Sequence, residues 1–165
     1  MMNKLAHFQK YKLRYEAFVL ISYFFINSTL LATSEIMEAQ RENAVMPFAI
    51  WEPFVWEYSS AIATLVLLPF IFMLLQRVPF NWQAIKYSIF QYFLAASIFS
   101  LLHVAMMVGL RKLAYFTVER SYDFGDLWFE LIYEYRKDLW SFLFFIIFLQ
   151  GYRFILSRLQ GEANP

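Results

Sequence analysis

Long apolar blocks alternate with short polar stretches along this chain. Four blocks carry at most one ionised side chain each, and each comes close to the roughly 20 residues that an α-helix needs to cross a bilayer. We predict membrane spans at residues 17–33, 53–75, 87–110 and 139–156. The pattern therefore predicts an all-α fold, an integral membrane four-helix bundle formed as one domain over residues 1–165.

The polar stretches between the predicted spans differ in character. Residues 34–52 and 76–86 are predicted to be connectors, whereas residues 111–138 are too polar to cross and too regularly patterned for an unstructured loop. We expect Gly125 to break this last stretch, so that helices three and four extend beyond the bilayer. Pro53 suits a first helical turn, and Pro69 should kink the second span because it removes a mid-helix hydrogen bond.

The composition supports a membrane protein and excludes several kinds of site. Hydrophobic residues make up 61% of the chain and charged residues 16%, so lipid must serve as part of its solvent. The absence of cysteine excludes disulfides, thiolate metal sites and cysteine nucleophiles. With only four glycines and two histidines, we find no Gly-rich phosphate loop, zinc-protease helix or Ser/His/Asp set. We therefore expect no enzyme active site, metal site or cofactor.

The distribution of charge predicts how the chain is oriented in the membrane. Eleven of the thirteen acidic residues fall on the side of residues 34–52 and 111–138. Eight of the fourteen cations fall on the opposite side, with the N-terminus, the short connector and the C-terminus: Lys4, Lys10, Lys12, Arg14, Arg77, Lys86, Arg153 and Arg158. Because basic residues beside spans are retained in the cytoplasm, we predict that both termini are cytoplasmic.

His103 is the histidine within a predicted span, and helical spacing puts it on one stripe with Ser100, Met107 and Arg111. Polar residues inside a membrane tend to face the interior of the bundle. One interpretation is that His103 is a haem ligand. However, one helix cannot place His103 and Met107 on opposite faces of the same haem. We therefore favour a hydrogen-bonded histidine within the bundle.

An acidic column with four-residue spacing lies on one helix face after Gly125: Asp126, Glu130, Glu134 and Asp138. Like charges at this spacing repel each other. A solvated face is the favoured interpretation of the column. The other is an ion-pair latch to cations at the end of span three, namely Arg111, Lys112 and Arg120. The pair that best tests the latch is Arg111 with Glu134.

Two Trp-Glu pairs, Trp51 with Glu52 and Trp56 with Glu57, lie at the start of the second span. Aromatic walls with carboxylates can hold a cationic or amphipathic ligand. The same residues are also typical of an interfacial anchor combined with a helix start. The sequence favours the anchor and leaves the ligand site as the alternative.

Three runs are informative when taken together: WEPFVWEYSS at 51–60, SLLHVAMMVGLRKLAY at 100–115, and YDFGD followed by YEYRKD between 122 and 138. With the rest of the chain as far as RLQGEA, they resemble the N-terminal membrane region of bacterial LytTR-family transcriptional regulators. In that family a four-span membrane region precedes a cytoplasmic LytTR DNA-binding domain, which residues 1–165 do not contain. The resemblance implies a sensor in the bacterial inner (cytoplasmic) membrane, with DNA contacted only through that absent domain.

The favoured function is the membrane anchor and sensor region of a LytTR-like transcriptional regulator. The alternatives are a stand-alone membrane interaction subunit, a small transporter and a haem protein. The transporter is disfavoured because the spans lack the buried charges that mark an ion path. Expected partners are the lipid bilayer, a second copy or another membrane protein, and a small-molecule ligand of unknown identity. The candidate ligand-sensing residues are Trp51, Glu52, Trp56, Glu57, His103, Arg111, Glu134, Arg136, Lys137 and Asp138.

Overall fold

The structure is a computed structural model that describes residues 2–42, 45–78 and 81–163. Over those residues it contains no β-strand and four long helices: α1 (Met2–Glu42), α2 (Glu52–Arg77), α3 (Ile85–Thr117) and α4 (Leu127–Ala163). A short 3-10 helix, Trp82–Ala84, precedes α3. All four long helices are long and apolar enough to cross a membrane. The predicted four-helix membrane fold is confirmed, and the chain is a multi-pass membrane protein.

Helix α1 extends well past the first predicted span. It runs to Glu42, so the prediction that residue 34 begins a connector is wrong. Within the helix, the hydroxyls of Thr33 and Ser34 are satisfied by backbone carbonyl groups one turn earlier, to which they donate at 2.7 Å each. The following residues are polar but mostly good helix formers. The polar residues after the first predicted span therefore continue the helix as far as Glu42.

Helices α3 and α4 also continue beyond their predicted spans. Helix α3 reaches Thr117 and α4 starts at Leu127, which confirms the two predicted helical extensions. Gly125 lies in the break between them, with a positive φ of 85°. Pro53 occupies the first turn of α2 as predicted, and α2 continues through Pro69 to Arg77.

The helices pack in chain order, α1 on α2, α2 on α3 and α3 on α4. The main apolar cluster joins α2, α3 and α4: Leu67, Ile71, Leu75, Ala95, Ala96, Phe99 and Phe142. Small residues such as Ala95 and Ala96 let the helix backbones approach closely. Many large apolar side chains elsewhere are exposed, as expected for surfaces that face lipid.

The antiparallel arrangement gives the bundle two ends. At one end, where α1 begins and α4 ends, the Tyr152 hydroxyl donates to Glu16 Oε1 at 2.6 Å. We call this the basic end. At the opposite or far end, where α2 begins and α3 ends, Trp56 Nε1 donates to the Tyr115 hydroxyl at 2.9 Å. Both contacts join residues that are distant in sequence, so each end is held by tertiary hydrogen bonds.

The turn before α4 depends on Gly125. Its φ of +85° is in the left-handed region, and an added Cβ would lie 3.4 Å from the side chain of Glu130. We expect Gly125→Ala to lower the free energy of unfolding by about 1–2 kcal/mol, measured by denaturation in micelles. Gly151→Ala is the control, because a Cβ at Gly151 within α4 meets nothing within 4 Å. Equal losses in both variants would contradict the assigned role of the turn.

Candidate functional site

A buried polar cluster joins three helices in the interior of the bundle. His103 on α3 is 3% exposed and Asp138 on α4 is 5% exposed, and His103 Nδ1 lies 2.9 Å from Asp138 Oδ1. The hydroxyl of Ser100, one turn before His103, donates to Asp138 Oδ2 at 2.8 Å. On the other side of the ring, His103 Nε2 lies 3.2 Å from the hydroxyl oxygen of Ser60 on α2. We call these four residues the hub.

The hub satisfies its own polar groups. Both carboxylate oxygens of Asp138 and both ring nitrogens of His103 have partners within hydrogen-bond distance. Within the described parts of the chain, no buried side-chain nitrogen or oxygen atom lacks a hydrogen-bond partner. This confirms the prediction of a hydrogen-bonded bundle histidine. Because an unpaired polar group is costly in an apolar interior, each hub residue holds the others in place.

The histidine of the hub lies within the third predicted span, residues 87–110. His103 is two helical turns, about 10 Å, inside the predicted outer end of span three at Leu110. Asp138 pairs with His103 and lies directly before the fourth predicted span, residues 139–156. Asp138 and Glu134 are 5% and 6% exposed, so two carboxylates are buried in the bundle just before the fourth predicted span. Intramembrane ionisable residues of this kind usually mark a functional site.

A cleft of about 510 Å³ lies beside the hub, between α1 and α4. Its polar wall comprises Ser28, Glu57, Ser60, His103, Glu134, Lys137 and Asp138. Its aromatic wall comprises Tyr23, Phe24, Trp140, Phe144 and Phe145. Tyr23, Trp140 and Phe144 are also more than half exposed on the outer surface, so the cleft opens sideways, towards lipid. An amphipathic molecule could enter it from the bilayer.

The acidic column divides between the interior and the surface. Glu134 and Asp138 are buried, whereas Asp126 is exposed and caps the first turn of α4 by accepting from the Phe129 amide at 2.8 Å. Glu134 pairs with Lys137 on the same helix, with Nζ 3.1 Å from Oε2. A solvated face therefore describes only part of the column. Arg136 is exposed and is not among the residues that line the cleft.

Arg111 contacts α2 and not the acidic column. Its guanidinium donates to Ser59 Oγ at 3.0 Å, to the Trp56 carbonyl at 3.1 Å and to the Tyr122 hydroxyl at 2.8 Å. No ion pair joins Arg111 to Glu134 in the described residues, so the structure does not form the latch that was the alternative to a solvated face. Residue spacing could not reveal this, because it does not show which neighbour a helix face meets.

The run at the start of α2 joins that helix to the end of α3. Glu52 accepts from the Tyr115 hydroxyl at 2.7 Å and pairs with Arg120 at 3.3 Å. The ring of Trp51 packs edge-on against Tyr115, with centroids 4.9 Å apart. Trp51, Glu52 and Trp56 thus have structural partners, which favours the anchor interpretation. Glu57 differs, because it lines the cleft.

The hub has the connectivity of a Ser-His-Asp set, which the sequence did not suggest. Ser60 and His103 are 43 positions apart, and His103 and Asp138 are 35 apart, so no local motif could reveal the set. Ser60 lies inside α2, where backbone amides are already used by the helix. Acyl transfer at a serine requires hydrogen-bond donors, such as unpaired backbone amides, that point at the oxyanion formed in the transition state. The arrangement therefore favours a structural hub over a hydrolytic centre.

Comparisons with protein-family models, with curated proteins and with solved structures find no match to this chain. The likeness to the membrane region of LytTR-family regulators rests on the three quoted runs and stays a prediction. The site must therefore be interpreted from its own geometry. That geometry combines a buried hydrogen-bonded hub with an adjacent cleft that opens towards lipid.

Proposed function

We propose that this protein is a membrane-embedded sensor whose cleft binds a small amphipathic ligand from the bilayer. The observation that carries the proposal is the buried His103–Asp138 pair facing a cleft of about 510 Å³. This volume is in the usual range for small-molecule sites. The aromatic wall would contact an apolar chain, and the polar wall would exchange hydrogen bonds with a head group.

Helix α4 provides a route from the cleft to the basic end. Glu134 and Asp138 belong to the same continuous 37-residue helix that ends at Ala163. A ligand that binds better to one arrangement of Asp138 and His103 would shift the position of α4 as a unit. Arg153 and Arg158 lie on the part of α4 that would deliver this change.

The proposed DNA-binding output rests on the family resemblance, and the proposed membrane and orientation rest on the charge distribution. The likeness to LytTR-family membrane regions supports a DNA-binding domain as the proposed output, attached beyond residue 165. The excess of cations at the basic end supports cytoplasmic termini in a bacterial inner membrane. DNA binding is thus proposed for a domain outside residues 1–165, not for the bundle.

Filling the cleft tests the sensor without knowledge of the ligand. We would fuse a reporter DNA-binding domain after Pro165 and replace Ser141, which lines the cleft, with tryptophan. We expect Ser141→Trp to change reporter output by about fivefold or more, since the ring would mimic or block a ligand. The matched control is Leu143→Trp, because Leu143 is 46% exposed on the same helix. Identical output from both variants at equal expression would exclude coupling between the cleft and the C-terminus.

A further inference from the structure

The basic end of the bundle carries an almost unbalanced positive charge. Helices α1, α2, α3 and α4 all contribute cations with described side chains there: Lys10, Lys12, Arg14, Arg77, Lys86, Arg153 and Arg158. Glu16 is the single carboxylate with a described side chain at this end. This end therefore attracts anions, and its surface lies where α1 and α4 meet the membrane boundary.

Two of these cations flank the contact between α1 and α4. Tyr152 on α4 donates to Glu16 on α1 at 2.6 Å, and Lys12 Nζ lies 3.6 Å from the same carboxylate oxygen. The ammonium of Lys12 is 5.8 Å from the centroid of the Tyr152 ring. Arg153, the next residue, places its guanidinium carbon 4.5 Å from the Phe72 ring centroid. Lys12 thus lies beside Tyr152 at the contact with α1, and the guanidinium of Arg153 lies against Phe72 on α2.

Exposed apolar side chains adjoin these cations on both helices. Leu13 and Phe18 on α1 are 78% and 71% exposed, and Phe154 on α4 is 60% exposed. Lys12 precedes the first predicted span by about one and a half turns, and Arg153 lies within one turn of the end of the last span. Long basic side chains at such positions extend to the head-group layer. Cations in the head-group layer can contact the phosphate of a phospholipid, and the neighbouring apolar side chains can contact its acyl chains.

We propose that the junction of α1 and α4 at the basic end binds an anionic phospholipid. Its phosphate would contact Lys12 and Arg153, and its acyl chains would lie along Leu13 and Phe154. A soluble phosphate or an acidic protein would use the cations but leave the apolar flanks unmatched. The site shares Arg153 with the proposed output route of the sensor, but neither Lys12 nor Arg153 lines the cleft.

A bound lipid would also hold α1 and α4 together. Lys12 and Arg153 belong to different helices, so one phosphate that contacts both would bridge the junction. The cleft lies further along the same pair of helices. Anionic lipid would therefore stabilise the assembled bundle specifically at the α1–α4 junction.

Lipid binding can be measured on the purified full chain in neutral detergent. We would titrate phosphatidylglycerol and phosphatidylcholine and follow bound lipid by native mass spectrometry, with Tm as a second readout. We expect phosphatidylglycerol to bind and raise Tm, and Lys12→Gln combined with Arg153→Gln to weaken its Kd by about tenfold or more. The matched control neutralises two exposed cations at the far end, Lys112→Gln with Arg136→Gln, and should retain the wild-type Kd.

Each outcome bears directly on the assignment. Equal binding of the two lipids, or an unchanged Kd in the Lys12 and Arg153 double variant, would overturn the site. An equal gain in Tm from glycerol phosphate would replace the lipid with a soluble anion and also overturn it. If the double variant does not fold, the single variants Lys12→Gln and Arg153→Gln provide the same comparison. A reporter that still responds to Ser141→Trp after lipid binding is lost would separate this site from the sensor.

Discussion

Asp138→Asn is expected to lower the free energy of unfolding by about 1–3 kcal/mol. The carboxylate accepts from Ser100 on one oxygen and contacts His103 on the other. A carboxamide has one acceptor oxygen, so one of these partners would face an amide N–H₂ donor. Reversible unfolding in mixed micelles measures the loss.

The control for Asp138→Asn is the same change at the exposed residue that directly precedes the same helix. Asp126→Asn keeps an oxygen that can accept from the Phe129 amide, so it should change stability by less than about 0.5 kcal/mol. A double-mutant cycle with His103→Ala gives the coupling energy directly. Additive losses in that cycle would show that Asp138 and His103 do not support each other, and the hub would be wrong.

Arg111→Met is expected to cost about 1–3 kcal/mol of stability. The change keeps an apolar stem but removes every donor that joins α3 to Ser59, to the Trp56 carbonyl and to Tyr122. The loss should appear as earlier opening of the far end, measured by hydrogen exchange of the α2 and α3 amides there. Exchange at the basic end should stay close to that of the wild type.

The adjacent residue provides the control for Arg111. Lys112 is exposed and on a different face of α3, so Lys112→Met removes one positive charge without removing these hydrogen bonds. Similar stability losses in Lys112→Met and Arg111→Met would show that net charge, not the contacts with α2, is what matters. Restoration of Arg111→Met by a change at Glu134 would instead revive the latch that the structure contradicts.

Part of the site was predictable from helical spacing. Ser100 and His103 share a stripe on α3, and polar residues in a span tend to face the bundle, so a hydrogen-bonded histidine followed directly. Ser60 was missed, although a serine pair within an apolar span carries the same kind of signal. The partner of His103 was not predictable, because Asp138 is 35 positions away and belongs to a column that looks solvent-exposed.

The sequence by itself determined the number of helices, their order and the break at Gly125. Hydropathy is sufficient for this, because a bilayer requires each crossing segment to be apolar and helical whatever its neighbours are. Only the tertiary structure decided that Asp138 pairs with His103, that Arg111 contacts α2, and that a cleft separates α1 from α4. The spans are apolar on nearly every face, so periodicity does not distinguish a lipid-facing surface from a packed one. Helix pairing depends on side-chain contacts between distant residues, and those exist only in the folded bundle.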